Sequence, residues 1–374
     1  MIKKRILIIS GAFFPQNSPR SFRTTELSKE LSRQGHEVVV YIPKNNYNYS
    51  DFEKEFHLVV NDIGPFKFIP IEINGSQIIR LLRRILQRAC LLLFEYPAIE
   101  YLFRIVRVLK NEKGYDAIIS IAVPYPIHWG VARIIKRKPE IAKIWIADCG
   151  DPYMGCNRTA NRFNRHPFYF KFIEKKCFRR TNFITIPIEN AKEGYYQEFH
   201  NKIIIIPQGF NFDEFKREEK FIKNNIVTFA YAGGFIPGFR DPRPFLDYLS
   251  SLNISFKFYI YTTNEGQNLI KEYIEKLGGK LEIFPYLPRL KLLENLCKMD
   301  FLVNFENSDN IQSPSKLIDY ALTKRPILSV GTRDIHMDII KEFLERDYSN
   351  QTVVDNIEQY NIKNVADSFL SLFQ

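Results

Sequence analysis

Cysteine is sparse and unpatterned in this chain. The five cysteines, at 90, 149, 156, 177 and 297, are odd in number and include no Cys-x-x-Cys pair. Neither a zinc site nor a disulfide framework is therefore signalled, and reduced, mostly buried thiols are expected. Long apolar runs are missing too: no segment has the roughly 18 uninterrupted apolar residues of a spanning helix. The opening MIKKRILIISGAFF is basic and then apolar. Its apolar run is short, however, and reaches FFPQ without a small-residue cleavage site, so it reads as a first buried strand rather than a signal peptide. There is no Asp-x-Asp motif in a loop that would hold a metal, no internal repeat and no low-complexity tract. No DNA- or RNA-binding motif occurs, and the arginines are not interleaved with aromatic stacking residues as a single-strand groove requires, so nucleic acid is not an expected partner.

The chain does have enough apolar material for a large core. It has 374 residues, 45% of them hydrophobic, which suits about two globular domains. The net charge of +11 and the pI near 9.2 favour an anionic partner: a phosphorylated substrate or a membrane surface once nucleic acid is set aside. Short β-branched runs alternate with helical periodicity: Ile6 to Ile9, a helix from about Phe22 to Gln34, Val38 to Ile42, then Ala117 to Ile121, Ile144 to Ala147, Phe183 to Ile186 and Ile203 to Ile206. Phe66 to Ile73 is read as an additional strand. After PQGFNFDEF and a charged segment the alternation restarts at Val227 to Ala232 and continues through Phe256, Glu282, Phe301 and Ile327. This predicts an α/β fold of two Rossmann-like, doubly wound domains, 1–208 and 209–374, facing a central cleft that is the default ligand site. The last helix is a candidate to pack back on the first domain.

QSPSKLIDYAL, from Gln312 to Leu322, concentrates unusual chemistry. Ser313 suits a helix N-cap and Pro314 the first helical position. The free amides of Ser315, Lys316 and Leu317 would then point outward, and a helix start with a lysine beside it suits a diphosphate. Asp319, within the next turn, is in reach of a ribose's hydroxyls. The alternative is an ordinary capped helix with Asp319 placed for the helix dipole.

Three further segments carry candidates. FFPQNSPRSFRTTEL follows the first strand and offers Asn17, Ser18, Arg20 and Arg23; the two arginines suit phosphate oxygens, or else a solvated helix start. WIADCGDPYMG places Asp148 and Asp151 beyond a buried strand, where a carboxylate can orient or deprotonate a hydroxyl, or else form a turn ahead of Pro152. Asp151 lies farther out and is the stronger candidate, with Asp148 bracing the loop by bonding backbone amides. His128, in VPYPIHWG, also follows a predicted strand. Finally, IIRLLRRILQRACLLLF sets Arg80, Arg84, Gln87 and Arg88 on one helical face with Arg83 beside them, and Ile78, Leu81, Leu82, Ile85 and Ala89 on another. A basic amphipathic helix is a membrane-surface signal; the alternative is a core-packed helix with a solvated basic face.

PSKLIDYALTKRPIL resembles the P-S-K-x-x-E/D-Y segment of retaining glycosyltransferases with the GT-B fold, of the family-4 type. IIIIPQGFNFDEF is similar to that group's crossover into the second domain, with Gln208 for the usual Asn. YAGGFIPGFRDPRP is similar to its strand–glycine–basic segment, with Gly234 in the turn, Arg240 the best match for the phosphate-binding basic residue and Arg243 a weaker one. WIADCGDPYMG is similar to a D-x-x-D-P-W stretch of some members. The first acid of the group's paired-acid motif has no counterpart: Ile311 stands eight positions before Asp319. The resemblance implies a metal-independent transferase, without a cofactor, that moves a hexosyl or related sugar from a nucleotide-diphospho-sugar to a glycan or lipid-linked acceptor. It implies work in surface polysaccharide assembly, at the cytoplasmic, inner face of the cell membrane. In that reading Asp151, Arg240 and Lys316 are catalytic, and Asp319, Ser315, Leu317, Gly234 and Arg20 hold the donor. A nucleotide-sugar epimerase of the same fold, and a non-catalytic phosphate- or membrane-binding protein, are the alternatives.

Overall fold

The computed structural model describes residues 2–16, 18–155, 166–215, 223–306, 316–332 and 334–373. It divides into two compact units, Met1–Phe210 with Asn361–Gln374, and Asn211–Tyr360.

The first unit runs β1 (Arg5–Ser10), α1 (Pro19–Arg33), β2 (Glu37–Ile42), α2 (Ser50–Phe56), β3 (Val59–Asp62), α3 (Gln77–Phe94), α4 (Glu100–Val108), β4 (Tyr115–Ile121), α5 (Pro126–Ile135), β5 (Ala142–Asp148), α6 (Tyr169–Phe178), β6 (Phe183–Ile186) and β7 (Ile203–Ile205). Its strands pair in parallel in the order β3-β2-β1-β4-β5-β6-β7. The order reverses between β1 and β4, where ligands of such sheets bind. RILIIS is apolar without alternation because both faces of β1 are covered: Leu7 and Ile9 enter one buried cluster, Ile6 and Ile8 the other. The start of α1 follows from SPRSF. The Ser18 hydroxyl accepts from the Ser21 amide at 3.2 Å and Pro19 sits at the helix start.

The second unit runs β8 (Val227–Ala232), α7 (Arg243–Ser251), β9 (Phe256–Thr262), α8 (Asn264–Leu269), α9 (Glu272–Leu277), β10 (Leu281–Pro285), α10 (Arg289–Leu296), β11 (Phe301–Phe305), α11 (Lys316–Thr323), β12 (Ile327–Val330) and α12 (Met337–Leu344). Its parallel order is β10-β9-β8-β11-β12, which puts the reversal between β8 and β11. Phe229 and Tyr231 face one buried cluster and Ala230 and Ala232 the other. The last helix, α13 (Ile362–Ser371), belongs to the first unit. Its Ile362, Val365, Ala366 and Phe369 pack with Leu27 and Leu31 of α1.

Two local expectations are corrected. Phe66 to Ile73 is not a strand; Phe66 instead packs on Tyr101, and the Lys67 and Phe68 amides donate to the Glu100 carboxylate. Helix α3 is not core-packed either, for none of its residues is buried.

Candidate functional site

In the second unit the site grows from the carboxyl ends of β8 and β11. β8 ends in Gly233-Gly234. Gly233 has φ +153°, and a Cβ there would lie 2.7 Å from the Tyr231 hydroxyl, so the turn excludes a side chain. That hydroxyl donates to the Gly234 carbonyl at 2.8 Å. The chain then doubles back: the Ile236 amide donates to the Arg240 carbonyl at 3.0 Å and the Arg240 amide returns the bond at 2.8 Å. This brings the Arg240 guanidinium over the turn, where Nη1 reaches the Gly234 carbonyl at 3.4 Å. Arg243, the weaker candidate, is committed elsewhere. Its Nε and Nη2 grip Asp241 at 2.9 and 2.5 Å, which holds that carboxyl down at about 2.

Lys316 comes to the same place from α11. Its Nζ lies 3.5 Å from the Phe305 carbonyl, at the end of β11, and 4.4 Å from the centre of the Tyr231 ring. It makes no ion pair among the described residues. Burial, and then the positive charge of Arg240, push its ammonium well below the ordinary lysine range. Tyr320 locks the helix in register: its hydroxyl accepts from the Ala232 amide, the last of β8, at 2.8 Å. Leu317 lies beside Lys316 and packs against the buried cluster behind β8. Ser315, Ser313, Pro314 and Ile311 lie outside the described residues, as does Asn17.

Asp319 has a partner that the sequence did not announce. Arg289, at the start of α10, donates from Nε and Nη2 to its Oδ1 at 2.9 and 2.7 Å. Burial raises the carboxyl and the guanidinium opposes the rise. Both bonds fall on Oδ1, and Oδ2 takes no hydrogen bond among the described residues. Tyr286, half-exposed in the loop before α10, stands within the field of Arg240. Arg289, Tyr231 and Tyr286 are the residues that sequence reasoning missed; a tyrosine two residues before a Gly-Gly turn was the one available signal.

The first unit assembles a second group at the ends of β1 and β5. Asp148, 1% exposed, is gripped by Arg23: Nε to Oδ2 at 3.0 Å and Nη2 to Oδ1 at 2.7 Å. Thr185 donates to the same Oδ1 at 2.7 Å, and Arg23 also caps the carbonyls of Ile206 and Pro207. Arg23 is thus a buried clamp across three strand ends, not a phosphate ligand. Asp148 braces through side chains rather than through backbone amides. Arg20, one turn earlier on α1, is half-buried with its guanidinium laid on Gly150; a Cβ there would fall 1.2 Å from Nη2. Asp151 is half-buried, and its carbonyl accepts from the Tyr125 hydroxyl. His128 is fully buried, with Nδ1 2.8 Å from the Ser120 hydroxyl and Nε2 3.4 Å from the Cys149 sulfur. Burial pushes it down to about 3, so it is a neutral core residue and not a solvent-facing base. Between α1 and α2 a cavity of about 430 Å³ is lined by Phe14, Phe22, Tyr47 and Phe52 with Glu26 and Asp51.

No protein-family profile matches the chain, and no curated protein matches it in sequence. Solved structures do match its fold. The lipopolysaccharide outer core galactosyltransferase WaaB, in its apo form, aligns with TM-score 0.60 and 12% identity over 98% of both chains. A Staphylococcus aureus TarM variant, solved with fondaparinux, alpha-GlcNAc-glycerol and UDP, aligns with TM-score 0.55 and 12% identity over 100% of both. The UDP-GlcNAc 2-epimerase from Neisseria meningitidis, bound to UDP-GlcNAc, aligns with TM-score 0.58 and 12% identity over 98% of this chain and 99% of that one. These likenesses show the fold: two Rossmann-like units of the GT-B type.

Proposed function

We propose that the chain is a retaining glycosyltransferase whose second unit binds a nucleotide-diphospho-sugar and whose first unit receives a glycan acceptor, lipid-linked, in surface polysaccharide assembly. The observation that carries this reading is the Lys316 ammonium. It is partly buried, next to a second cation, and without a carboxylate partner among the described residues. Two like charges held at a strand-order reversal are stabilised when a multiply charged anion arrives, which supports reading the place as a diphosphate site.

The bond from the sugar's anomeric carbon to the diphosphate oxygen breaks, and its electron pair stays on that oxygen. Arg240, Lys316 and the amides near Leu317 stabilise the charge that develops there, without need of a metal. An acceptor hydroxyl forms the new bond on the same face of the sugar, and its proton passes to Asp151. Asp319, through Oδ2, holds a ribose hydroxyl while Arg289 fixes Oδ1. Gly234 lets the backbone approach the phosphates, Ser315 adds its amide, and Arg20 serves the sugar end of the donor. The aromatic and acidic cavity between α1 and α2 suits the acceptor's sugar rings, with apolar faces for the rings and carboxylates for the hydroxyls.

The likeness to an epimerase gives the second reading its support. The test is to incubate the protein with UDP-, GDP-, ADP- and dTDP-sugars, with and without a lipid extract, and to analyse products. Free nucleoside diphosphate together with a glycosylated lipid supports the transferase. A sugar nucleotide of inverted configuration supports the epimerase. Binding without any turnover overturns both.

A further inference from the structure

Helix α3 lies on the surface of its unit. None of its 18 residues is buried, and Ile78, Leu82 and Ile85 are 71%, 60% and 57% exposed. At about 100° per residue, Ile78, Ile79, Leu81, Leu82, Ile85, Leu86, Ala89, Leu92 and Leu93 fall in one arc of roughly half the circumference. Arg80, Arg83, Arg84 and Arg88 fall outside that arc, and the helix carries no acidic residue. It is tied to the segment just before it and, near its C-terminal end, to α6. Arg83 Nη1 donates to the Asn74 carbonyl at 3.2 Å, and the Tyr169 hydroxyl donates to the Leu93 carbonyl. Through Tyr169 it joins the start of α6, where Phe168 and Phe172 are 76% and 65% exposed with their rings 6.3 Å apart. Exposed Lys171, Lys176 and Arg179 flank them.

We propose that α3 and the Phe168–Phe172 edge of α6 form one face that docks on an anionic lipid bilayer, with α3 lying in the plane of the interface. Half a helix of apolar side chains in water is a large cost that a headgroup–acyl boundary removes. The charges on the rest of the helix are all cationic, and they select anionic headgroups by charge complementarity. The helix lies along the surface and not across it, for no helix among the described residues is long and apolar enough to cross a membrane. This inference needs no turnover, so it stands or falls apart from the transferase reading.

The test is co-sedimentation with phosphatidylcholine vesicles with or without phosphatidylglycerol. The full-length protein is expected to bind the anionic vesicles at least tenfold more tightly, and high salt is expected to weaken the binding. Arg80→Gln with Arg84→Gln and Arg88→Gln should cut that binding by about fivefold per charge, and the three Lys versions should restore it. Leu82→Asn with Ile85→Asn and Leu86→Asn should abolish it with little change in melting temperature, because these side chains are more than half exposed. Failure of the wild type to bind would overturn the proposal. So would a bound asparagine variant, which would make the attachment purely electrostatic. A protein that binds no vesicle but is dimeric in solution, and becomes monomeric in the asparagine variant, would instead make this face a contact between two copies.

Discussion

The Lys316→Met substitution separates a phosphate ligand from a structural tether. The lysine's folded-state pKa is depressed by burial and by Arg240, so the unfolded chain holds that proton more tightly than the folded one. Below the folded value the ligand-free protein carries the whole penalty. The penalty fades as pH rises from the folded to the unfolded value. At neutral pH methionine removes it, so the ligand-free variant should melt higher, by roughly 2–4 °C for each kcal/mol relieved in a unit of this size. The nucleotide effect should run the other way. A nucleoside diphosphate at about 100 times its Kd stabilises wild type by about 2.7 kcal/mol, roughly 5–10 °C. Loss of a charge-assisted contact worth about 1.5–3 kcal/mol weakens binding some ten- to 150-fold. At the same nucleotide concentration the variant then keeps only about 0.3–1.4 kcal/mol of stabilisation. Differential scanning fluorimetry with UDP, GDP and ADP, read with the nucleotide of largest effect, measures both quantities. A variant that melts lower than wild type, or that keeps the full nucleotide shift, would refute the reasoning.

Asp319→Ala should weaken a nucleoside diphosphate about ten- to a hundredfold but leave inorganic pyrophosphate unchanged, because the proposed contact is to ribose; calorimetry with both ligands checks this. Asp148→Asn breaks a buried ion pair, so its stability should drop by about 3–5 kcal/mol, whereas Asp151→Asn should melt normally and slow transfer about a hundredfold or more. The Asp148 carboxyl is held low mainly by Arg23 against the cost of burial. Its contribution is present above the ordinary Asp range and is lost as pH falls through the folded value, so acid melts of wild type and Asn variant should converge. Glu174 is buried and pushed up to about 7 by that burial. An acid whose folded pKa is raised makes stability fall as pH climbs from about 4.5 to 7, here by about 3 kcal/mol. Glu174→Gln should flatten that stretch of the melting curve's pH dependence, and an unchanged slope would place the loss elsewhere.

What the one-dimensional pattern shows depends on range. Ile6 to Ile9 and Val227 to Ala232 read as fully covered strands, and form them, because runs without alternation fit only a sheet with two buried faces. Helix α1, expected from about Phe22, starts at Pro19 because the Ser18 hydroxyl caps it there. The GT-B reading came from PSKLIDYAL, YAGGF and their spacing, and the fold matches agree with it. The short strand β3 was not anticipated and the irregular Phe66–Ile73 segment was read as a strand, since their states are set by neighbours on β2 and α4.

The amino-acid sequence alone determined the strand–helix alternation, the basic amphipathic helix and the placement of Lys316, Arg240 and Asp319 near strand ends. Those are consequences of periodicity and turn chemistry within a few residues. Tertiary structure alone decided which charges remain for a ligand. Arg23 and Arg20 look equivalent three positions apart, yet one is consumed by Asp148, 125 positions away, and the other lies over Gly150. Asp319 is tied to Arg289, 30 positions away, and Arg243 to Asp241, while Lys316 acquires only a carbonyl and a ring among the described residues. It also decided that α3 keeps its apolar arc in the open and that α13 returns to α1. Periodicity states that a helix has an apolar face. Only packing states what covers it, because a side chain's pairing and burial are set by partners that the chain brings near from far along its length.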